Sequence, residues 1–255
     1  MPEGNGLAVV TGAARGIGAS VATALAEQDW SLVLVDACSA QPGIAYAMPS
    51  PADLEAVAER CGADVLCADV AAPDFGSQLT DVIAGRRVDA AVAAAGAIAG
   101  GLAWDTDETV WTTLVDVSLH GTRRLAEATI PGMVTAGAGR FVAVASAAAL
   151  RAMPQLAAYS AAKAAVVGYV RAMAADLAGT GVLANVICPG STRGAMLAAS
   201  ADVYDLPGQE DFAGQHLVRR LLEPDEVAAA VVWLCGPAAS ALTGAVIPVD
   251  GGLTA

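Results

Sequence analysis

Short apolar runs recur along this chain and alternate with segments of helical periodicity. The apolar runs are residues 7–12, 31–36, 63–69, 88–96, 139–146, 182–190 and 245–252. The helical segments are residues 16–28, 52–61, 74–85, 106–136 with an interruption near Pro131, 157–178 and 224–235, while 191–222 is irregular or locally helical. Because strands that alternate with crossover helices build a parallel sheet covered on both faces, we predict a single α/β domain over residues 1–255.

Composition narrows the class of partner. The hydrophobic fraction is 56%, but apolar stretches of about 18 residues, the minimum for a membrane helix, are lacking. The first residues, MPEGNG, lack the basic start of a secretory signal. The formal net charge of −13 argues against nucleic acid. We therefore expect a soluble cytoplasmic protein that binds neither nucleic acid nor a membrane.

The cysteines and histidines do not form a recognisable metal or disulfide pattern. The five cysteines include no CxxC pair, and the two histidines, His120 and His216, are far apart in sequence. We expect no metal site, and we interpret the cysteines as small apolar core residues in a reducing compartment.

A glycine-rich turn follows the first predicted strand. Gly12, Gly16 and Gly18 in TGAARGIG allow a tight turn and let backbone N–H groups approach a pyrophosphate at a helix N-terminus. An ordinary strand–helix turn can carry similar glycines. The position between a strand and a helix, with an acidic residue 18 positions beyond Gly18, favours a dinucleotide site.

Two acidic residues end the next two strands. Asp36 can accept hydrogen bonds from the adenosine ribose and would repel a 2′-phosphate, which favours NAD over NADP. Arg15 either faces a phosphate or is simply solvated. Asp69 either accepts from the adenine amino group or caps a helix N-terminus.

Tyr159 and Lys163 are separated by one helical turn, and Lys163 is the only lysine of the chain. An ammonium group beside a phenol lowers the phenol pKa and suits it to acid–base catalysis. The alternative is a surface lysine beside a core aromatic residue. Ser146, at the end of the fifth strand, can hydrogen-bond a reacting oxygen, which strengthens the catalytic interpretation.

These motifs together identify a family resemblance. TGAARGIG, Ser146 with YSAAK (159–163), NVICPG (185–190) and LTGAVIPVDGG (242–252) resemble the motifs of the short-chain dehydrogenases/reductases. The resemblance covers essentially the full chain. It implies a Rossmann-type doubly wound parallel sheet, an NAD-dependent alcohol dehydrogenase and a homotetramer.

The resemblance also implies roles for individual residues. Tyr159 would donate or accept the proton, Lys163 would bind the nicotinamide ribose and lower the Tyr159 pKa, and Ser146 would hold the substrate oxygen. The backbone around Thr192 would hold the nicotinamide carboxamide. The implied cofactor-binding set is Gly12, Ala14, Arg15, Gly16, Ile17, Gly18, Asp36, Asp69, Val70, Ala93, Gly96, Tyr159, Lys163, Pro189, Gly190 and Thr192.

Two departures from the family pattern weaken the match locally. AAAG (93–96) replaces the usual NNAG, which removes side-chain bonds between strands. Ser118, in VSLHG, stands where the family has a catalytic asparagine that helps to hold a relay water. These changes keep open a non-catalytic nucleotide-binding protein on the same scaffold.

Residues 37–50, here called the insertion, lengthen a connection that is usually short. With PGSTRGAML (189–197) they resemble the mycofactocin-coupled branch of the family, in which bound NAD is covered and is reoxidised in place by mycofactocin. Ile44, Tyr46 and Met48 are then expected to fold over the adenine. The alternative is a surface loop without this role.

Residues 191–222, here called the lid, are expected to cover the substrate. Their apolar side chains favour a hydrophobic secondary alcohol or its ketone, although the same residues could simply pack the lid onto the body. An NADPH-dependent ketoreductase of the acyl-carrier type is the alternative activity, and Asp36 argues against it. The apolar residues considered are Met196, Leu197, Tyr204, Phe212 and Leu217, joined by Trp104, Leu150 and Met153.

Overall fold

Runs rich in valine, leucine and alanine form the strands, and most of their side chains are buried. The computed structural model describes residues 6–255. Within this range seven parallel strands form one sheet in the order β3-β2-β1-β4-β5-β6-β7. The strands are β1 Leu7–Thr11, β2 Ser31–Asp36, β3 Asp64–Cys67, β4 Val88–Ala93, β5 Gly139–Val144, β6 Val182–Pro189 and β7 Val246–Val249.

Helices cover both faces of this sheet. Val9 and Val33 belong to a core cluster with residues of the helices Phe75–Ile83, Gly121–Ala136 and Ala157–Asp176. Val10 and Leu34 belong to a second cluster with residues of the helices Gly16–Ala26, Pro51–Cys61 and Pro224–Cys235. The alternation follows from the two-residue period of a strand. The helices are α1 Gly16–Ala26, α2 Pro51–Cys61, α3 Phe75–Ile83, α4 Glu108–Val115, α5 Gly121–Ala136, α6 Ala157–Asp176, α7 Ala195–Val203 and α8 Pro224–Cys235.

The predicted α/β fold with one doubly wound parallel sheet is confirmed. The predicted break of the 106–136 helix near Pro131 is wrong, because α5 continues through Pro131. Pro131 has no N–H to donate to the carbonyl four residues earlier. Because Pro131 is exposed, water can donate to that carbonyl instead. The irregularity lies earlier, in the π-helical turn Asp116–His120 between α4 and α5.

The cysteines are less uniform than expected. Cys188 and Cys235 are buried, but Cys67 is exposed at the end of the edge strand β3, so the expectation of core cysteines is wrong there. Among the helices of residues 6–255, none combines the length and apolar character needed to cross a membrane. Over the same range, His, Cys, Asp and Glu side chains form no group of three or more that could hold a metal ion.

Candidate active site

A cavity of about 720 Å³ lies along the carboxyl edge of the sheet. Its wall runs from the glycine turn after β1, past the ends of β4 and β5, to the segment after β6 and the lid. Ligands of doubly wound sheets bind at this edge. The predicted site residues on the wall are Gly12, Arg15, Gly16, Ile17, Gly18, Asp36, Asp69, Val70, Gly96, Ser146, Tyr159, Lys163, Pro189, Gly190 and Thr192.

Three predicted site residues lie behind this wall. Ala14 and Ala93 are buried, and Ala94 and Ala95 line the cavity where Ala93 was expected. The reason is that Ala93 is still paired in β4, between Thr11 and Ala143, and the chain turns towards the cavity only afterwards. Ser118 is also fully buried, behind its neighbour Val117, which does line the cavity.

The three glycines of the turn have distinct structural reasons. A Cβ on Gly12 would lie 2.8 Å from the backbone of Ala94 and Ala95, and one on Gly18 would lie 2.1 Å from the Gly12 carbonyl oxygen. Gly16 has φ +56° and open space where a Cβ would be. The turn is therefore tight on its protein side and unobstructed on its cavity side, which fits the approach of a pyrophosphate.

Asp36 is held in a fixed orientation at the end of β2. Its carboxylate accepts N–H hydrogen bonds from Ala14 at 3.1 Å and from Cys38 at 3.3 Å. Ala14 therefore supports Asp36 from behind the wall. Asp36 lines the cavity, so its carboxylate is available to a ribose hydroxyl there.

Asp69 is not a helix N-cap, because α3 begins at Phe75 directly after Asp74. Its carboxylate instead accepts from the Ala71 N–H at 2.8 Å and from the Gln41 side-chain amide at 3.3 Å. Gln41 is buried and belongs to the insertion. The insertion therefore contacts the same carboxylate that was expected beside the adenine.

Arg15 lines the cavity and also contacts the insertion, and its contact with a phosphate stays a prediction. Its guanidinium donates to the Ala47 carbonyl at 2.8 Å, approaches the Met48 sulfur at 3.7 Å, and lies 5.6 Å from the centroid of the Tyr46 ring. All three partners belong to the insertion. Arg15 therefore joins the glycine turn to the insertion.

The insertion is anchored on the body of the domain. The Ile98 N–H donates to the Tyr46 hydroxyl at 3.3 Å, and the Thr113 hydroxyl donates to the Pro42 carbonyl at 2.8 Å. The expectation that Ile44, Tyr46 and Met48 fold over the adenine is wrong for the first two. Ile44 and Tyr46 pack against the apolar cluster that contains Leu114, Leu156 and Tyr159, and the insertion residues that line the cavity are Ala37, Gln41, Met48 and Pro49.

Helix α6 presents Tyr159 and Lys163 to the cavity, and Ser146 follows β5 opposite them. The Ser146 hydroxyl accepts from the Ala148 N–H at 3.1 Å, and it lies close enough to the Tyr159 hydroxyl to lower the pKa of that phenol. The Lys163 ammonium donates to the Val144 carbonyl at 3.0 Å and lies 6.0 Å from the centroid of the Tyr159 ring. The three side chains predicted to be catalytic thus meet at one point of the wall.

Burial controls the protonation of this group. It raises the pKa of Tyr159 to about 12, against the effect of the nearby Ser146 hydroxyl. It also lowers the pKa of Lys163 to about 8. The Ser146 hydroxyl, rather than Lys163, is what lowers the Tyr159 pKa in the protein alone. Each buried group loses hydration in its charged form, and this outweighs the attraction that the family resemblance implied.

Ser118 lies in the π-helical turn and is 1% exposed. Its carbonyl accepts from the Thr122 hydroxyl at 2.6 Å, but its own hydroxyl has no hydrogen-bond partner within residues 6–255. An unpaired buried hydroxyl is costly and calls for a reason. Its proposed relay role stays a prediction.

Sequence reasoning missed Thr11, which compensates for AAAG. The Thr11 hydroxyl accepts from the Ala94 N–H at 3.2 Å and from the Ala95 N–H at 3.3 Å. These bonds tie β1 to the segment after β4, where the family asparagine was expected to do so. The signal in the sequence was the threonine directly before the first glycine of the turn.

The segment after β6 is held from two sides. The Gly190 N–H donates to the Val249 carbonyl at 3.1 Å, and the Ser191 N–H donates to Nε2 of His216 at 3.1 Å. The Thr192 hydroxyl donates to the Gly190 carbonyl at 3.1 Å. Sequence reasoning also missed His216, because nothing in its sequence context marks it as functional.

The lid contains α7 and the 3₁₀ helix Gln209–Gln215. Met196, Leu197, Tyr204 and Phe212 line the cavity, and so does Met153 from the loop before α6. The other three apolar candidates do not line it and are exposed: Trp104 by 83%, Leu217 by 68% and Leu150 by 43%. The substrate side of the cavity is therefore largely apolar, with Arg151 and Arg193 as cations on its wall.

The fold and the site together define a dinucleotide-binding α/β protein with a serine–tyrosine–lysine centre. A family model described as Enoyl-(Acyl carrier protein) reductase matches residues 12–254. With this match and the relatives below, the chain belongs to the short-chain dehydrogenase/reductase family.

The proteins similar to this chain include dehydrogenases, one of which has been solved in complex with NAD. An uncharacterised NAD-dependent oxidoreductase of Mycobacterium tuberculosis is 35% identical over 261 residues, which cover 96% of this chain and 94% of that protein. The 2-(S)-hydroxypropyl-CoM dehydrogenase 3 of Xanthobacter autotrophicus is 32% identical, over 98% of this chain and 97% of that protein. The crystal structure of carveol dehydrogenase from Mycobacterium avium in complex with NAD has a TM-score of 0.93 at 27% identity, with 98% of each chain covered.

Proposed function

We propose that this protein interconverts a hydrophobic secondary alcohol and its ketone, with its NAD retained and reoxidised by mycofactocin. The observation that carries the reaction class is that Ser146 and Tyr159 line the same cavity, with Lys163 one helical turn from Tyr159. The family and the cofactor class are established independently of this proposal. The chain is an NAD-dependent oxidoreductase of the short-chain dehydrogenase/reductase family.

The site fits NAD because the glycine turn is open on its cavity side and Asp36 is fixed beside it. When bound, NAD supplies the hydride acceptor or donor of the reaction. Tyr159 gives a proton to the ketone oxygen or takes one from the alcohol. Ser146 holds that oxygen, and Lys163 holds the nicotinamide ribose while its charge favours the deprotonated tyrosine.

Cofactor choice separates this proposal from an NADPH-dependent ketoreductase of the acyl-carrier type. The carboxylate of Asp36 would repel a 2′-phosphate. Arg15, the cation nearest in sequence, is engaged with Ala47 and Met48 of the insertion. These contacts direct part of its guanidinium towards the insertion, so the expected preference for NAD depends on the charge of Asp36.

The apolar lid supports a hydrophobic substrate. Met153, Met196, Leu197 and Phe212 line the cavity on the substrate side. Carveol, for which the structural neighbour is named, is itself a hydrophobic secondary alcohol.

The insertion supports retention of NAD. It lines the adenosine end of the cavity through Gln41, Met48 and Pro49, and it is anchored away from the cavity through Tyr46. A cofactor covered in this way leaves only when the insertion opens. A cytoplasmic location and a homotetramer are further parts of the proposal.

The test is to identify the nucleotide released from denatured purified protein, and then to assay hydrophobic secondary alcohols with free NAD, free NADP or an electron-accepting dye. We expect NAD to co-purify and the dye to support faster turnover than free NAD. Fast turnover with exchangeable NAD would contradict retention, and a preference for NADP would favour the ketoreductase. Nucleotide binding without turnover of any substrate would favour a non-catalytic protein.

A further inference from the structure

His216 is a buried histidine at the C-terminal end of the lid's 3₁₀ helix, and it is 1% exposed. It packs beneath the segment that follows β6. A Cβ on Gly190 would lie 2.9 Å from Nε2 of His216, and one on Gly251 would lie 3.4 Å from the His216 side chain. The two glycines thus create the space that the imidazole fills.

The hydrogen bond that His216 makes requires a neutral ring. Nε2 accepts the Ser191 N–H at 3.1 Å, so Nε2 carries no proton and Nδ1 must carry it. Nδ1 has no hydrogen-bond partner within residues 6–255, and the nearby backbone of Ala213 and Arg220 acts to raise the pKa of His216. Protonation of Nε2 would set two N–H groups against each other and break the bond.

The same place is the base of the lid. The Leu222 N–H donates to the Ser191 carbonyl at 3.1 Å, and the Arg193 N–H donates to the Leu222 carbonyl at 2.9 Å. The chain thus enters and leaves the lid through one short parallel ladder. His216 adds a second bond to Ser191, accepted from its N–H from inside the lid, so lid and ladder are held together at that residue.

We propose that His216 is a positioning residue that fixes the Pro189–Thr192 segment for the nicotinamide, and that its protonation loosens this segment and the lid. The inference rests on the proposed function, because it takes NAD to bind in this cavity with its nicotinamide at the segment that the family resemblance assigns to it. It predicts that NAD and NADH bind more weakly as the pH falls, even though His216 does not contact them.

The charged groups around His216 determine the direction of this effect. Burial lowers the pKa of His216 and Arg220 acts in the same direction, while Asp250 acts against them. Arg220 is paired with Glu226, and the Asp250 carboxylate is occupied by the N–H groups of Gly252 and Thr254. Because the folded pKa lies below the ordinary 6.5, the bond is fully present above that value and is lost as the pH falls through the folded pKa.

The experiment compares His216→Gln, which keeps an acceptor near the position of Nε2 but does not titrate, with His216→Leu, which removes the acceptor. The control is His120→Gln at the chain's only other histidine. NADH affinity is measured by fluorescence titration between pH 5 and pH 8, with protein that has first been freed of its co-purified nucleotide. We expect the parent and His120→Gln to lose affinity at low pH by on the order of five- to tenfold, the scale of one hydrogen bond.

His216→Gln should match the parent at pH 8 and stay flat as the pH falls, whereas His216→Leu should be weak at every pH. A His216→Gln variant that keeps the parent's low-pH loss, or a His216→Leu variant that binds like the parent at pH 8, would overturn the proposal. If His216→Leu does not fold, the comparison of His216→Gln with His120→Gln still decides.

A second measurement does not need the cofactor. Hydrogen–deuterium exchange of the free protein at pH 8 should be faster at Ser191 and over residues 195–215 in His216→Leu than in the parent and in His216→Gln. Equal exchange in all three proteins would refute the proposal that His216 holds the segment after β6 and the lid. If the parent fails to bind NADH at any pH, the proposed function fails, and the exchange result still decides whether His216 holds the lid.

Discussion

The insertion and the lid line two ends of one cavity and pack on the same apolar cluster, but the lid carries in addition a set of exposed ion pairs. The insertion is held by bonds from Arg15, Thr113 and the Ile98 N–H, and by the packing of Ile44 and Tyr46 on an apolar cluster. The lid is held at its base by the ladder around Ser191, by the Tyr204 hydroxyl, which donates to the Pro154 carbonyl at 2.7 Å, and by the packing of Met196 and Tyr204 on the same cluster. Arg193 adds exposed ion pairs with Glu210 and Glu223.

The exposed ion pairs of the lid and the partly buried hydrogen bonds of the insertion contribute different amounts of free energy. The side chains of Arg193, Glu210 and Glu223 are 39%, 66% and 52% exposed, and ion pairs of this kind contribute only about 0–1 kcal/mol. Each partly buried hydrogen bond of the insertion contributes about 0.5–1.5 kcal/mol, and the apolar contacts add to this. The exposed ion pairs of the lid therefore add little to its attachment, and both segments depend mainly on hydrogen bonds and apolar packing against the body.

The largest expected effect is the loss of turnover when Tyr159, which lies between the insertion and the lid, is replaced. Tyr159→Phe removes the hydroxyl that lies close to Ser146 and should lower turnover by on the order of 10²–10⁴-fold. NAD affinity should stay close to that of the parent, because the insertion, the lid and the glycine turn are untouched. Single-turnover kinetics with a parallel binding titration make the measurement. Near-normal turnover of Tyr159→Phe would show that Tyr159 does not transfer the proton in this reaction.

Shortening the insertion by replacing residues 38–48 with a brief turn tests the comparison directly. Loss of the Arg15, Thr113 and Tyr46 contacts should speed NADH release by on the order of 10–100-fold, measured by stopped-flow fluorescence. The matched control is Glu210→Gln, which breaks one surface ion pair of the lid and should change release by less than about fivefold. Equal release from the parent and the shortened protein would show that the insertion does not retain the cofactor.

Asp36→Asn tests the adenosine end without removing the insertion. Asparagine can still accept the Ala14 N–H but lacks the charge that repels a 2′-phosphate. The preference for NAD over NADP should narrow by about 1–2 kcal/mol, which is roughly 5- to 30-fold. Calorimetric titration of both nucleotides measures it, and an unchanged ratio would mean that the insertion, rather than Asp36, excludes the phosphate.

Sequence patterns predicted the sheet and the catalytic group because each depends on short-range regularities. The strand period, the glycine spacing and the four-residue separation of Tyr159 and Lys163 are all visible in a single segment. Three other hydrogen bonds join segments that are far apart in the chain. They are the bonds from Arg15 to the Ala47 carbonyl, from the Ala94 N–H to the Thr11 hydroxyl, and from the Ser191 N–H to His216. Only the fold brings these residues together, so local patterns could not reveal them.

The smallest expected effect concerns Ser118, which lies behind the cavity wall and away from the insertion and the lid. Its hydroxyl has no partner within the described residues, so Ser118→Ala should leave the free energy of unfolding unchanged or raise it by about 1 kcal/mol. If the hydroxyl serves a proton relay, the same variant should lose turnover about 2- to 10-fold and Ser118→Asn should keep or exceed the parent activity. The pH–rate profiles of the three proteins, read beside their urea unfolding curves, separate the two roles. A gain in stability with identical pH–rate profiles would mean that Ser118 is a packing residue, and that the proton reaches Tyr159 through the cavity side alone.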